Sequence, residues 1–119
     1  MAAAVVYGIE RCDQVRKARR WLSEHAVEHR FHDFRRNGLD AATLERWFAH
    51  LPWDSLVNRR SATWRRLDPK RRAAVVDLAS AREELLSDPT LVRRPVLESG
   101  QLLIVGFSDA LYSSHFQDR

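Results

Sequence analysis

Apolar and polar positions divide the beginning of the chain into a strand, a turn and a helix. Residues 3–7 form a short, continuous apolar run, which is typical of a buried strand. A tight turn over residues 8–11 follows. Beyond it, apolar side chains recur at the spacing of a helix that begins near Asp13, with Val15, Ala18, Trp21, Leu22 and Ala26 on one face. The pattern predicts a β-loop-α unit.

The next segments predict a second strand and a second helix. Residues 29–34 include two phenylalanines in a short stretch suited to a strand. A parallel pairing with the first strand would complete a right-handed βαβ crossover. Asn37 and Gly38 interrupt the chain, and Asp40 is placed to cap a helix that runs to about His50.

The rest of the chain predicts a helical block and then a hairpin. Residues 53–87 are mostly helical in character and show no strand pattern. Two strands follow at residues 95–98 and 101–105, joined by a turn at residues 99–100, and a last short helix covers residues 110–116. The predicted order is β, α, β, a helical block, β, β, α. A chain of 119 residues suits one α/β domain.

Composition narrows the class of protein. The net charge is +4, but 16 acidic residues are interleaved with 20 basic ones and no nucleic-acid-binding signature occurs, so nucleic acid is not an expected partner. Arginine-rich chains also suit anionic small ligands. No apolar stretch approaches the ~20 residues that cross a membrane, and the N-terminus lacks a signal-peptide pattern. These features predict a cytoplasmic protein without membrane contact.

The histidines and tryptophans are assigned to structural roles. His29 and His32 lie on a predicted strand at an odd separation, which sends their side chains to opposite faces, so no metal site is predicted. The four tryptophans are assigned to packing, with a partner-facing role as an alternative for Trp64.

Cys12 is the only cysteine, and it stands where the first strand gives way to the helix. The N–H groups and partial positive charge of a helix start favour a thiolate, and Arg11 acts in the same direction. Asp13 opposes them unless it turns away to cap the helix. A single cysteine excludes an internal disulfide, so any resolving thiol comes from another molecule. The residues alone leave open a buried cysteine that fills space.

This order of elements resembles a thioredoxin-like fold, with a four-stranded mixed sheet and a helical insertion at roughly residues 40–90, between the second and third strands. A closer resemblance rests on four segments: residues 7–18 (YGIERCDQVRKA), 31–39 (FHDFRRNGL), 58–67 (NRRSATWRRL) and 93–106 (RRPVLESGQLLIVG). In their order and separation these segments resemble the ArsC family, which includes arsenate reductases, Spx-type transcription regulators and YffB-type proteins, the last being nearest.

The resemblance implies roles for individual residues. It makes Cys12 the catalytic nucleophile and assigns to Arg94 the stabilisation of the thiolate and the binding of an anion or a glutathione carboxylate. It also implies a cis peptide bond before Pro95. A second arginine of the family, in the insertion, corresponds to Arg59, with the adjacent Arg60 as the alternative.

One departure from the family pattern bears on the substrate. Arsenate reductases of the family carry a third arginine just after the fourth strand, where this sequence has Gly106. Losing that cation weakens oxyanion recognition. The resemblance therefore implies a thiol/disulfide reductase that uses glutathione as cosubstrate, with glutaredoxin as a further partner. The alternatives are a true arsenate reductase and a non-catalytic, Spx-like regulator that binds RNA polymerase, although Val15 removes the Cys-x-x-Cys switch of those regulators.

Overall fold

The computed structural model describes residues 4–116, and its elements follow the predicted order. Short 3-10 helices lie at Trp53–Ser55 and Pro89–Leu91. The strands and α-helices within the described residues are, in chain order, β1 (Ala4–Gly8), α1 (Asp13–Glu24), β2 (His29–Asp33), α2 (Phe34–Asn37), α3 (Ala41–Phe48), α4 (Ala62–Arg66), α5 (Pro69–Ala73), α6 (Leu78–Ser87), β3 (Val96–Ser99), β4 (Leu102–Val105) and α7 (Asp109–Phe116). None of these helices has the length and apolar character needed to cross a membrane.

The chain forms two compact units, and the first contains the sheet. This unit comprises residues 4–33 and 94–116. The strand order is β2-β1-β3-β4, with β1 parallel to β2 and antiparallel to β3, and β4 antiparallel to β3. The parallel βαβ crossover and the hairpin are therefore confirmed, and the fold is thioredoxin-like. β1 begins at Ala4; Ala3, which the predicted strand included, lies outside the described residues.

Helices α1 and α7 bury their apolar side chains against the sheet of the first unit. The helical spacing of the apolar positions in α1 places them all on one side. The sequence pattern correctly identified these buried residues of the core: Val6, Val15, Ala18, Trp21, Leu22, Leu97, Ile104, Tyr112 and Phe116. Ala26, which the pattern placed on the same face of the helix, lies beyond the end of α1 and is exposed, with a φ of +56°. Cys12 and Phe107 pack against the edge of the same cluster. The core thus extends to the beginning of α1.

Gly8 ends β1 rather than opening the turn, and it lies against α1. A Cβ atom at Gly8 would be 2.5 Å from the Cγ2 methyl group of Val15, which is fully buried. Because Val15 is β-branched and closely packed in the core, its side chain has no free space into which it could move away from that Cβ atom. We therefore expect Gly8→Ala to lower the free energy of unfolding by about 1–3 kcal/mol, measured by chemical denaturation.

The matched control for this substitution is a double-mutant cycle with Val15→Ala. Removing the two Val15 methyl groups removes the atoms at 2.5 and 3.2 Å from a Cβ at Gly8 and leaves the Val15 Cβ at 3.4 Å, an ordinary van der Waals distance. The penalty of Gly8→Ala should therefore shrink to a few tenths of a kcal/mol in the Val15→Ala background. An equal penalty in both backgrounds would show that the packing explanation is wrong.

The second unit, Phe34–Arg93, is the helical insertion. Asp40 caps α3, as predicted: its Oδ1 accepts from the Thr43 amide at 2.8 Å. A two-pronged hydrogen bond from Arg82 to Glu45, at 2.5 and 3.2 Å, joins α6 to α3 and lowers the pKa of the Glu45 carboxyl group. The core of this unit contains Leu44, Trp47, Leu56, Ala81, Leu85, Leu91 and Val92.

Candidate active site

Cys12 occupies the N-cap position of α1. Its backbone is extended (φ −79°, ψ 124°), its amide donates to the Ile9 carbonyl at 3.1 Å, and its carbonyl accepts from the Arg16 amide at 3.0 Å. The cysteine side chain makes no capping hydrogen bond and is half-buried. The turn and the first helical bond therefore fix the backbone, while the free thiol remains partly accessible at the positive end of a 12-residue helix.

The charged residues beside Cys12 are arranged around Arg16. Its guanidinium donates to the Arg11 carbonyl at 2.9 Å and lies 3.6 Å from the Asp13 carboxylate. Both members of this ion pair are exposed, so it adds little stability. The pair places a cation beside the Asp13 carboxylate, which follows Cys12 in the sequence. Arg11 is also exposed.

The sheet register brings the Arg94–Pro95 pair to the end of the sheet from which the Cys12 loop departs. Tyr7 of β1 pairs with Val96 of β3 in antiparallel register, so the end of β1 adjoins the start of β3. The peptide bond between Arg94 and Pro95 is cis, as the resemblance implied. Pro95 is buried and Arg94 is half-buried, with its Nε atom shielded from solvent.

Gly106 lies directly beside this proline. Its amide donates to the Pro95 carbonyl at 2.8 Å, and its φ of +85° is in the region that favours glycine. A Cβ atom there would have no neighbour within 4 Å. Phe107 follows and packs edge-on to Tyr112, with ring centroids 4.7 Å apart. A side chain at position 106 would therefore enter open space, and this is the position at which the resemblance implied the loss of an arginine.

Tyr112 lies in the core beside Phe107. It is fully buried, and burial raises the pKa of its hydroxyl group well above the usual range. The phenol therefore stays protonated throughout the neutral pH range.

No set of three or more histidine, cysteine, aspartate or glutamate side chains within residues 4–116 is arranged to hold a metal ion.

Arg59 and Arg60 belong to the second unit, and the structure distinguishes them. The Arg59 guanidinium carbon lies 5.8 Å from the ring centroid of Trp53 and 5.6 Å from that of Trp64, in cation–π geometry. Arg59 and Arg60 are both exposed, and the Arg60 carbonyl accepts from the Arg65 guanidinium at 2.8 Å. These two indole contacts favour Arg59 over Arg60 as the arginine whose side chain is ordered before a ligand binds.

The sequence pattern did not predict that two of the tryptophans contact the Arg59 guanidinium. Trp53 and Trp64 are half-buried and contact a cation, whereas Trp21 and Trp47 are buried as expected for packing residues. The positions of Arg59 and its two tryptophans follow neither a helical nor a strand period. The only available signal was the aromatic content of a segment rich in arginine, which does not identify the partners.

Comparisons with known proteins cover nearly the whole chain. The ArsC family profile matches residues 7–114. An uncharacterized protein from Haemophilus influenzae is 40% identical over 111 residues, which are 93% of this chain and 96% of the relative. A solved YffB protein is 42% identical with a TM-score of 0.88, covering 94% of this chain and 97% of its own. An arsenate reductase (ArsC) related protein from Brucella melitensis is 45% identical with a TM-score of 0.75, covering 97% and 95%.

Proposed function

The chain belongs to the ArsC family, and we propose that it is an oxidoreductase that reduces mixed disulfides of glutathione through Cys12. The main support for the proposal is the sheet register. The Cys12 loop follows the end of β1 and the cis Arg94–Pro95 pair precedes the start of β3, and these two strand ends adjoin at the same end of the sheet. The lone thiol supports the dependence on glutathione, because a second thiol is needed to complete the reaction and this chain has no other.

The reaction consists of two thiol–disulfide exchanges. The Cys12 thiolate attacks the glutathione sulfur of the substrate, a Cys12–glutathione disulfide forms, and the substrate thiolate leaves and takes a proton from water. A free glutathione thiolate then attacks the glutathione sulfur of this intermediate. That step releases the Cys12 thiolate and oxidised glutathione. In sum, the mixed disulfide and one glutathione thiol become the substrate thiol and oxidised glutathione, and the number of disulfide bonds stays the same.

The proposal gives Arg94 and the start of α1 separate tasks. The helix N-terminus and Arg11 favour the thiolate form of Cys12. The planar guanidinium of Arg94 stabilises that thiolate and pairs with a carboxylate of glutathione. Glycine at position 106 supplies no cation there, which favours a disulfide over an oxyanion such as arsenate, whose recognition needs several paired cations.

A coupled turnover assay tests this function. The full chain receives glutathione and the mixed disulfide of glutathione with cysteamine, and the formation of oxidised glutathione is followed through glutathione reductase. We expect saturable turnover with this substrate and at least ~100-fold slower turnover of arsenate when glutaredoxin is added. Turnover at the uncatalysed rate would refute the proposal. Faster turnover of arsenate would replace it with a true arsenate reductase.

The two candidate arginines of the insertion predict different kinetics. We expect Arg59→Gln to lower kcat/KM about 10-fold or more in this assay, because one charge-assisted hydrogen bond is worth roughly 1.5–3 kcal/mol. The matched change Arg60→Gln should leave kcat/KM within about twofold, since Arg60 is equally exposed but, within residues 4–116, lacks the cation–π contacts that order Arg59. Equal losses in the two variants would contradict the assignment to Arg59, and thermal unfolding of both verifies the fold.

A further inference from the structure

A basic surface depression of about 320 Å³ lies on the outer side of α1, beside the edge strand β2. We call it the α1 basic depression. No step of the proposed reaction uses it. Its lining combines guanidinium, hydroxyl and imidazole groups, from Arg16, Arg19, Arg20, Ser23 and His29.

Neutral partners hold three of these side chains in place. The Arg19 guanidinium carbon lies 4.3 Å from the centroid of the Phe31 ring, and the Arg16 guanidinium donates to the Arg11 carbonyl. The His29 Nδ1–H donates to the Val27 carbonyl at 2.9 Å. Because these groups are already ordered, less side-chain entropy is lost when an anion binds them.

The depression carries an excess of positive charge. Asp13 is the one carboxylate paired with its arginines within residues 4–116; it lies 3.6 Å from Arg16, and both side chains are largely exposed. In the same described range, Arg19 and Arg20 form no ion pair with any side chain. A concave surface with several cations and little compensating charge attracts and orients anionic partners.

The depression is continuous with Cys12 along the helix. Arg16, Arg19, Arg20 and Ser23 share one face of α1, and Cys12 precedes Arg16 by four residues on that face. With a rise of 1.5 Å per residue, the depression begins about 6 Å from Cys12 and ends about 17 Å from it. An extended peptide whose disulfide lies at Cys12 covers that distance with roughly its second to fifth residue.

We propose that the α1 basic depression binds an acidic segment of the protein whose thiol or disulfide exchanges with Cys12. This inference rests on the proposed function, because that function requires an exchange partner for a lone thiol. A protein segment suits the site better than a nucleic acid does. The arginines are confined to two helical turns that lead to the reactive sulfur, whereas nucleic-acid surfaces follow a phosphate backbone over a longer path.

The experiment compares two peptides that differ in charge alone. Each peptide contains one cysteine, which forms a disulfide with 2-nitro-5-thiobenzoate. The second to fifth positions after this cysteine are aspartate and glutamate in one peptide. They are asparagine and glutamine in the other. Cys12 attacks the peptide sulfur, forms a disulfide with it and displaces the coloured thionitrobenzoate, with no net change in oxidation state. Uncharged 2,2′-dithiodipyridine measures the reactivity of Cys12 itself.

We expect wild-type protein to react about 10-fold faster with the acidic peptide at low ionic strength, and about equally with both peptides in ~0.5 M sodium chloride. Arg20→Gln and Arg19→Gln should each reduce this preference about threefold or more, without changing the rate with dithiodipyridine. Arg20 is exposed, so its replacement leaves the fold intact. The control is Arg30→Gln, since Arg30 is exposed and lies on β2 opposite Val5, outside the depression.

Failure of the docking surface and failure of the proposed function give different results. Equal rates with both peptides, or an equal loss in Arg30→Gln, overturn the docking surface while glutathione turnover stands. Absence of reaction with dithiodipyridine and of glutathione turnover overturns the proposed function itself. A short oligonucleotide that binds wild-type protein but not Arg20→Gln, together with equal peptide rates, assigns the depression to nucleic acid and overturns the proposal.

Discussion

Cys12→Ser is expected to reduce glutathione-dependent turnover to the uncatalysed rate, a loss on the order of 10³-fold or more. A serine hydroxyl group is not ionised at neutral pH and forms no disulfide with glutathione. The measurement is the coupled assay with the glutathione–cysteamine disulfide. In parallel, mass spectrometry of wild-type protein treated with oxidised glutathione should show one bound glutathione, and the serine variant should show none.

The same variant contains its own control for folding. Cys12 is the N-cap of α1 but makes no capping hydrogen bond, and serine is a preferred N-cap residue whose oxygen accepts from the amides of the first turn. The midpoint of thermal unfolding should therefore stay constant or rise. Lost turnover with an unchanged midpoint assigns a chemical role to the thiol. Turnover that survives the substitution would remove Cys12 from the mechanism.

The parts of the fold that local chemistry dictates were predictable from the sequence. Gly100 adopts a positive φ of +59° in the hairpin turn, a conformation that glycine adopts without steric cost. Asp40 accepts the Thr43 amide at the start of α3, as a capping residue is expected to do. In both cases, the preference of one residue within one turn decides the structure, so the sequence contains the required information.

The ends of the strands depend on hydrogen bonding between neighbouring strands and on packing in the core, and the sequence pattern does not show either. The second strand was predicted to continue to Phe34, but it ends at Asp33, and Phe34 is a buried residue that begins α2. Four residues are too few to show a helical period. The sequence pattern predicts a turn at Gly8, yet this residue extends β1 and pairs with Asp33. In each case a neighbouring strand or the core overrode the local preference.

The candidate site also combines features that the sequence predicts with features that it does not predict. Cys12 is recognisable from its position between a strand and a helix. The cis bond at Pro95 needed the family resemblance, since only about 5–6% of such bonds are cis in folded proteins. The tryptophan pair around Arg59 and the contribution of His29 to the α1 basic depression depend on tertiary structure. Residues that are distant in sequence meet there without any periodic signal.

Arg94→Gln is expected to lower kcat/KM for the glutathione mixed disulfide by about 10–100-fold. Hydrogen bonds to charged groups are worth roughly 1.5–3 kcal/mol, and each 1.4 kcal/mol corresponds to a factor of ten. Arg94→Lys should recover part of the loss, because lysine keeps the charge but lacks the planar fork that pairs with a carboxylate. The neighbouring Arg93 is exposed, so Arg93→Gln is the matched control and should stay within about twofold of wild type.

Alkylation by iodoacetamide separates the two tasks proposed for Arg94. The reagent is uncharged and the protein has one thiol, so the rate at neutral pH reports the reactivity of Cys12 without any contribution from ligand binding. If Arg94 stabilises the thiolate and also binds glutathione, Arg94→Gln slows alkylation and raises KM. A higher KM with unchanged alkylation would restrict Arg94 to binding the ligand. A variant that behaves like Arg93→Gln in both measurements would remove Arg94 from the site, even though it directly precedes the cis proline.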